Sequence, residues 1–372
     1  MIYFDYSATT PMSDIAIETY NRVARTFFGN SRSLHTHGQE SADIVEYSRQ
    51  SLAQILNCRP EELYFTGSGS ESTFLALTGL AFAHKHKGKT ILTTRGEHHS
   101  VHQALHYLEG FNFTIKYIPV DEFGRIQMTR LEHLLDDDVI LASIGHANSE
   151  VGTIQDLTAI GQLLRKNDVL FHSDCVQTFG KLPIPLALLS SMSASAHKCY
   201  GPKGVGLTFI QSRLPWNPFF QGTTHEGGFR AGTVDTPAIA AFAAAAEEYF
   251  REQNKEMNRL SKLRLHFLQA FEQEKRIILE GHKVERLPFH LALRIKGIEG
   301  QLLMLECNRR GFSISTGSAC RVGDTNPSST LMSIGRTKEE AYELIRITFG
   351  RWTTLQDIDK LIVAIHEILE RY

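Results

Sequence analysis

From about residue 60 to about residue 210, short β-rich runs alternate with helical stretches, and this restricts the fold more than any other feature of the chain. Residues 63–66, 91–94, 115–118, 139–144, 169–171 and 206–210 read as strands. Between two of them Ile154, Leu157, Ile160 and Leu164 recur at the spacing of one helix face. Strands separated by crossover helices return in parallel, so the segment predicts βαβ units on a mainly parallel sheet. Past residue 250 the texture changes. Residues 250–278 predict one long amphipathic helix with Leu260, Leu263, Phe267, Leu268 and Phe271 on a common face. A strand over 290–295, a helix near 300–310, an extended 312–315 and a closing helix over 355–371 follow. The expected organisation is a large α/β domain, 14–250, and a smaller α+β domain, 251–372 together with 1–13. Two domains also suit a chain of 372 residues.

Charge narrows the function. The chain has 39 Lys+Arg against 41 Asp+Glu, a net −2. Without a basic surplus, neither nucleic acid nor an anionic membrane is an expected partner. The longest apolar run, 237–246, falls short of the ~18 residues of a spanning helix. Met1-Ile-Tyr-Phe-Asp5 has no basic stretch of the kind that opens a secretion signal. Five scattered cysteines, Cys58, Cys175, Cys199, Cys307 and Cys320, make no disulfide framework and suit a reducing compartment. The expectation is a cytoplasmic enzyme.

Ligands of parallel α/β sheets bind beyond the carboxyl ends of the strands, so the residues that follow each strand are the candidates for chemistry. After residue 66 comes Gly67-Ser-Gly-Ser-Glu71, a small-residue turn into a helix beginning near Thr73, suited to a phosphate. His98 follows the strand 91–94, Asn148-Ser149-Glu150 follows 139–144, and Asp174-Cys-Val-Gln177 follows 169–171. Any one of these is an ordinary cap or core polar group; their convergence makes a site. Next comes Ser195-Ala-His197-Lys198, before a Gly-Pro turn. A lysine crowded by cations or apolar walls has a lowered pKa and can form a Schiff base. A carboxylate such as Asp174 could keep a pyridine nitrogen protonated. Cys320, in a Gly- and Pro-bearing loop beside Arg321, has the setting of an accessible thiolate. A dinucleotide site is excluded, since Gly67-x-Gly69 lacks a third glycine and Thr94-Arg95 stands where an acidic residue is required. A zinc site at His98, His99 and His102 has no cysteine at suitable spacing. His84-Lys-His86 reads as a solvated helix end.

Taken in order, Asp5-Tyr-Ser-Ala-Thr-Thr-Pro11, Glu97-His98, Asp174-Cys-Val-Gln177, Ser195-Ala-His-Lys198, Arg230-Ala-Gly-Thr233, Gly317-Ser-Ala-Cys320 and Arg346-Ile-Thr-Phe-Gly-Arg351 span almost the whole chain. The set resembles the cysteine desulfurases, pyridoxal 5'-phosphate enzymes of the class V aminotransferase superfamily. The interval from Arg321 to Ile345 is similar to that of the long-loop group typified by NifS and IscS. The resemblance implies a PLP-dependent transferase of fold type I, with a mainly parallel seven-stranded sheet in its large domain and a smaller α+β C-terminal domain. It implies that Lys198 bonds the cofactor and moves protons, that Asp174 pairs with the ring nitrogen, and that His98 stacks on the ring and assists proton transfer. Gln177 would bond the ring oxygen. Gly69, Ser70, Ser195 and His197 would hold the phosphate, with Thr233 reaching in from the second subunit of a homodimer. Arg346 would clamp the substrate carboxylate, and Cys320 would take sulfur from L-cysteine as a persulfide, leaving L-alanine. An acceptor protein, an iron–sulfur scaffold or a dedicated client, would receive that sulfur; iron–sulfur cluster assembly and tRNA or cofactor thiolation are its uses in the family.

Three positions depart from the family pattern: Ser149 for the usual second Asn, Ser31 for the usual Pro, and the Gly/Ser-rich turn at 67–71. Two other readings compete: a selenocysteine or C–S lyase on the same cofactor, and a catalytically weak scaffold homologue.

Overall fold

A computed structural model describes residues 1–317 and 327–372. The strands are β1 (Ile2–Tyr3), β2 (Leu63–Thr66), β3 (Thr90–Thr93), β4 (Thr114–Tyr117), β5 (Val139–Ser143), β6 (Leu170–Asp174), β7 (Ser191–Ser195), β8 (Gly206–Ile210), β9 (Ile277–Leu279), β10 (His290–Ile295), β11 (Phe312–Ser313), β12 (Ser315–Thr316) and β13 (Leu344–Thr348). A seven-stranded sheet runs β2-β8-β7-β6-β5-β3-β4, parallel except at β8, which lies antiparallel between β2 and β7. Parallel strands covered by helices on both faces need apolar side chains on both, and β3 and β5 are buried at every position. The edge strand β4 carries partly exposed residues, including Lys116, which blunts its pairing edge. A second, antiparallel sheet runs β12-β13-β10-β9, and β1 pairs in parallel with β11. The class expected from the sequence is therefore the class observed.

Several local expectations are corrected. The long helix is Thr236–Ala270 and not 250–278. Its first turns are Ala-rich and buried nearly all round, so no polar face marks them, although alanine is the best helix former. Asp235 caps it by accepting from the Ala238 amide. Residues 277 and 278, expected as the end of that helix, pair with β10 as part of β9. The Ser-Met-Ser-Ala-Ser of β7 carries no strand signature, because it lacks β-branched and aromatic residues. Its small side chains admit the helix Gly69–His84, with Thr73 Oγ1 2.8 Å from Ser193 Oγ. That helix starts at Gly69, four residues before expected. His84 is buried, its Nδ1 2.9 Å from the Leu80 carbonyl, and is no solvated end.

Candidate active site

The carboxyl ends of β3, β5, β6 and β7 share one edge of the large sheet and open into a cavity of about 390 Å³. Gly69, Ser70, His98, Asp174, Gln177, Ser195, His197 and Lys198 all line it, so eight of the residues expected from the sequence are brought together. Thr233 and Arg346 do not line it. Cys320 lies outside the described residues.

Each side chain is fixed by its element. Ser68 caps the helix Gly69–His84 by accepting from the Glu71 amide, leaving the Gly69 and Ser70 amides at a positive helix end. A Cβ on Gly69 would come 2.8 Å from Val176 Cγ2 and 3.3 Å from Ser195 Cβ; only glycine allows this approach. His98 caps the next helix, His99–Glu109, its Nδ1 accepting from the Ser100 amide at 3.2 Å. That acceptor role puts the proton of the neutral ring on Nε2. Asp174 closes β6, accepting from the Val176 amide at 2.9 Å. Burial raises its pKa, and His98 and Lys198 oppose the rise, so the carboxylate sits where a cationic partner would stabilise it. Gln177 Nε2 donates to the Ser7 carbonyl, while among the described residues its buried Oε1 has no partner and buried Ser195 Oγ has none either. The Lys198 amine donates to the carbonyls of Ser7 and Ala8. His197 Nδ1 meets Thr9 Oγ1 at 3.1 Å, and burial with neighbouring Lys198, Lys181 and Lys203 pulls its pKa down to about 4.

Arg346 projects from β13, almost fully buried. Its Nη2 donates to Asp5 at 2.8 Å and its Nη1 to the cavity-lining Ser149 at the carbonyl, 3.1 Å, while Nε has no partner among the described residues. His290 Nε2 meets the same carbonyl at 3.1 Å. Asn148 is used up in structure: Nδ2 donates to Gly96 O, and Oδ1 accepts from the Glu150 and Val151 amides. Thr233 lies on the loop of Arg230, whose Nη1 donates to its carbonyl and whose Nε pairs with Glu71. Cys58, Cys175, Cys199 and Cys307 all have thiols pushed up to about 12, chiefly by burial, so each stays protonated.

The N-terminal segment 5–10, for which the sequence implies no role, holds Lys198 through its carbonyls and Arg346 through Asp5. Thr330, Ser333 and Ile334, which line the cavity from beyond residue 326, were also missed. No local pattern announces either.

A lysine, a half-buried carboxylate, a histidine and a helix N-terminus at the edge of a parallel sheet define the aminotransferase class of site. The class-V aminotransferase family model matches residues 2–361. A NifS of Halalkalibacterium halodurans is 43% identical over 371 residues, covering 100% of this chain and 99% of its own. The cysteine desulfurase IscS of Dictyoglomus turgidum is 37% identical over 375 residues, covering 100% and 95%. A solved NifS-like protein superposes with a TM-score of 0.93 at 33% identity, covering all of both chains. The chain belongs to the class-V aminotransferases, and within them to the NifS/IscS cysteine desulfurases, which work with pyridoxal 5'-phosphate. Among the described residues no helix is long and apolar enough to cross a membrane.

Proposed function

We propose that the cavity holds pyridoxal 5'-phosphate on Lys198 and releases sulfur from L-cysteine to Cys320, which passes it to an acceptor protein. The observation that carries this is the donor set of one cavity: the Lys198 amine, the half-buried Asp174 carboxyl, and Ser195 Oγ and Gln177 Oε1, which have no partner among the described residues. These fit the cofactor's aldehyde, ring nitrogen, phosphate and ring hydroxyl in turn. The Gly69 and Ser70 amides and His197 complete the phosphate cradle.

When bound, the cofactor supplies an electron sink for charge developing at the substrate Cα. Asp174 holds a proton at the ring nitrogen, and the Lys198 amine moves one at the substrate Cα. His98, its Nε2 proton set by the Ser100 amide, covers the ring. Arg346, whose guanidinium is held by Asp5 and the cavity-lining Ser149, would clamp the substrate carboxylate. The Cys320 thiolate attacks the substrate sulfur; the carbon–sulfur bond breaks, the carbon takes up a proton, and L-alanine leaves while the sulfur stays as a persulfide. The four other cysteines, three buried and Cys58 partly so, all have raised thiols, which supports Cys320 for that part. A homodimer is supported by the position of Thr233 off its own chain's cavity.

The test is a visible spectrum of the purified protein before and after L-cysteine, with alanine and sulfide assayed together. A band near ~420 nm that shifts, with alanine and reductant-dependent sulfide in step, is expected. Cys320→Ser should keep the band and lose catalytic sulfur release; normal turnover by that variant would overturn the persulfide step. Lys198→Ala should lose the band.

A further inference from the structure

Glu97 is a carboxyl that the proposed mechanism does not use, although it lines the same cavity. It follows β3, and its side chain crosses the end of β5. Oε1 accepts from Thr94 Oγ1 at 2.8 Å and Oε2 from the Gly145 amide at 2.9 Å. In the sheet β5 lies between β3 and β6, and Asp174 ends β6. Strands about 4.8 Å apart therefore bring the Glu97 carboxyl, seated over β5, to within about one strand spacing of the end of β6. Gly145 makes the crossing possible: a Cβ there would stand 3.0 Å from Glu97 Oε2, with the Asp174 carbonyl 3.8 Å away. The charge of His98 acts on both carboxyls, and that of Lys198 on Asp174, each favouring the ionised form.

We propose that Glu97 is a positioning residue for a proton: its charge sets how firmly Asp174 holds the proton at the ring nitrogen of the bound cofactor. Ionised Glu97 adds a negative charge beside Asp174 and strengthens that hold; neutral Glu97 leaves it weaker. The two carboxyls thus titrate as a pair. Burial, reinforced by Asp174, raises the Glu97 pKa to about 7, against the pull of Thr94, Gly145 and His98, so the switch lies in a useful range. The only movement is that of a proton between solvent and Glu97.

The inference rests on the cofactor reading above, and one experiment separates the two. Holoprotein is titrated from about pH 5 to about pH 9 while the visible band is followed, for wild type, Glu97→Gln and Thr94→Val. Glutamine keeps both hydrogen bonds, its Oε1 accepting from Gly145 and its Nε2 donating to the Thr94 hydroxyl, but cannot ionise. The expected result is an inflection at or below about 7 in the wild type, where a ring cation favours the anion, and its loss in Glu97→Gln at unchanged cofactor saturation. Thr94→Val removes a donor to the ionised form and should move the inflection to higher pH. Superimposable wild-type and Glu97→Gln titrations overturn the inference while leaving the functional reading intact. If Glu97→Gln does not retain cofactor, an unshifted inflection in Thr94→Val overturns it instead. A wild type that takes up no cofactor overturns the functional reading and this inference with it.

Discussion

Arg346 has two partners before any substrate arrives, Asp5 and the Ser149 carbonyl, and both fix the plane of its guanidinium. Arg346→Lys keeps the charge and loses the planar fork. A charge-assisted hydrogen bond is worth about 1.5–3 kcal/mol, so KM for L-cysteine should rise about 10- to 100-fold, with the bound cofactor's spectrum unchanged. Steady-state kinetics with a visible spectrum checks this. Glu280 raises a different question at the same scale. Its side chain is fully buried and accepts from Arg294 Nε at 2.9 Å and from Arg336 Nε at 2.9 Å. Breaking a buried pair leaves charge uncompensated, so Glu280→Ala should cost about 3 kcal/mol in denaturant unfolding. The low end of the range applies because Arg294 keeps Glu340 and Glu343.

Between elements, close packing is set by small side chains. Ala241 and Ala245 of the helix Thr236–Ala270 form a buried cluster with Ala16 of the helix Asp14–Thr26. Interhelical distance here is fixed by methyl groups, so Ala241→Leu must push the helices apart. The expected loss is about 1–3 kcal/mol, seen as a lower denaturant midpoint with little change in activity at saturating cofactor. The same smallness explains two misread elements. The start of the long helix and all of β7 consist of residues that pack against neighbours on every side, and periodicity cannot reveal an element with no solvent face.

Across the whole molecule, buried imidazoles govern acid stability. Burial lowers the pKa of His172 to about 3 and of His146 to about 4, and burial with Arg286 and Arg346 drives His290 well below its ordinary value. Below about 6.5 the unfolded chain takes up protons these rings refuse, so stability present above that pH is lost as pH falls toward 4. Glu97 and Asp174, with raised values, act in the opposite sense over an overlapping window and offset part of the loss. His172→Asn should make the acid-side loss shallower, because asparagine can still meet Ser191 Oγ, which lies 2.8 Å from His172 Nδ1. Unfolding free energies at several pH values would decide; identical slopes for both proteins would assign the acid loss to other groups.

What the sequence determined by itself is local. Strand alternation specified a parallel sheet, and residues following a strand within a few positions had to lie at its carboxyl edge, so Asp174, His98 and Gly69 were legible as one site. Ser195 ends β7 and Lys198 follows it, but that strand has no signature, and only the crowding of the lysine and the family pattern pointed to them. What only the tertiary structure decided is which distant groups meet them. The Ser7 and Ala8 carbonyls on Lys198, Asp5 on Arg346, Thr330 in the wall and Glu97 reaching over β5 all arise from contacts across the chain. Sequence spacing carries no information about such pairs, because their distance is fixed by how sheets and helices pack and not by the few residues on either side.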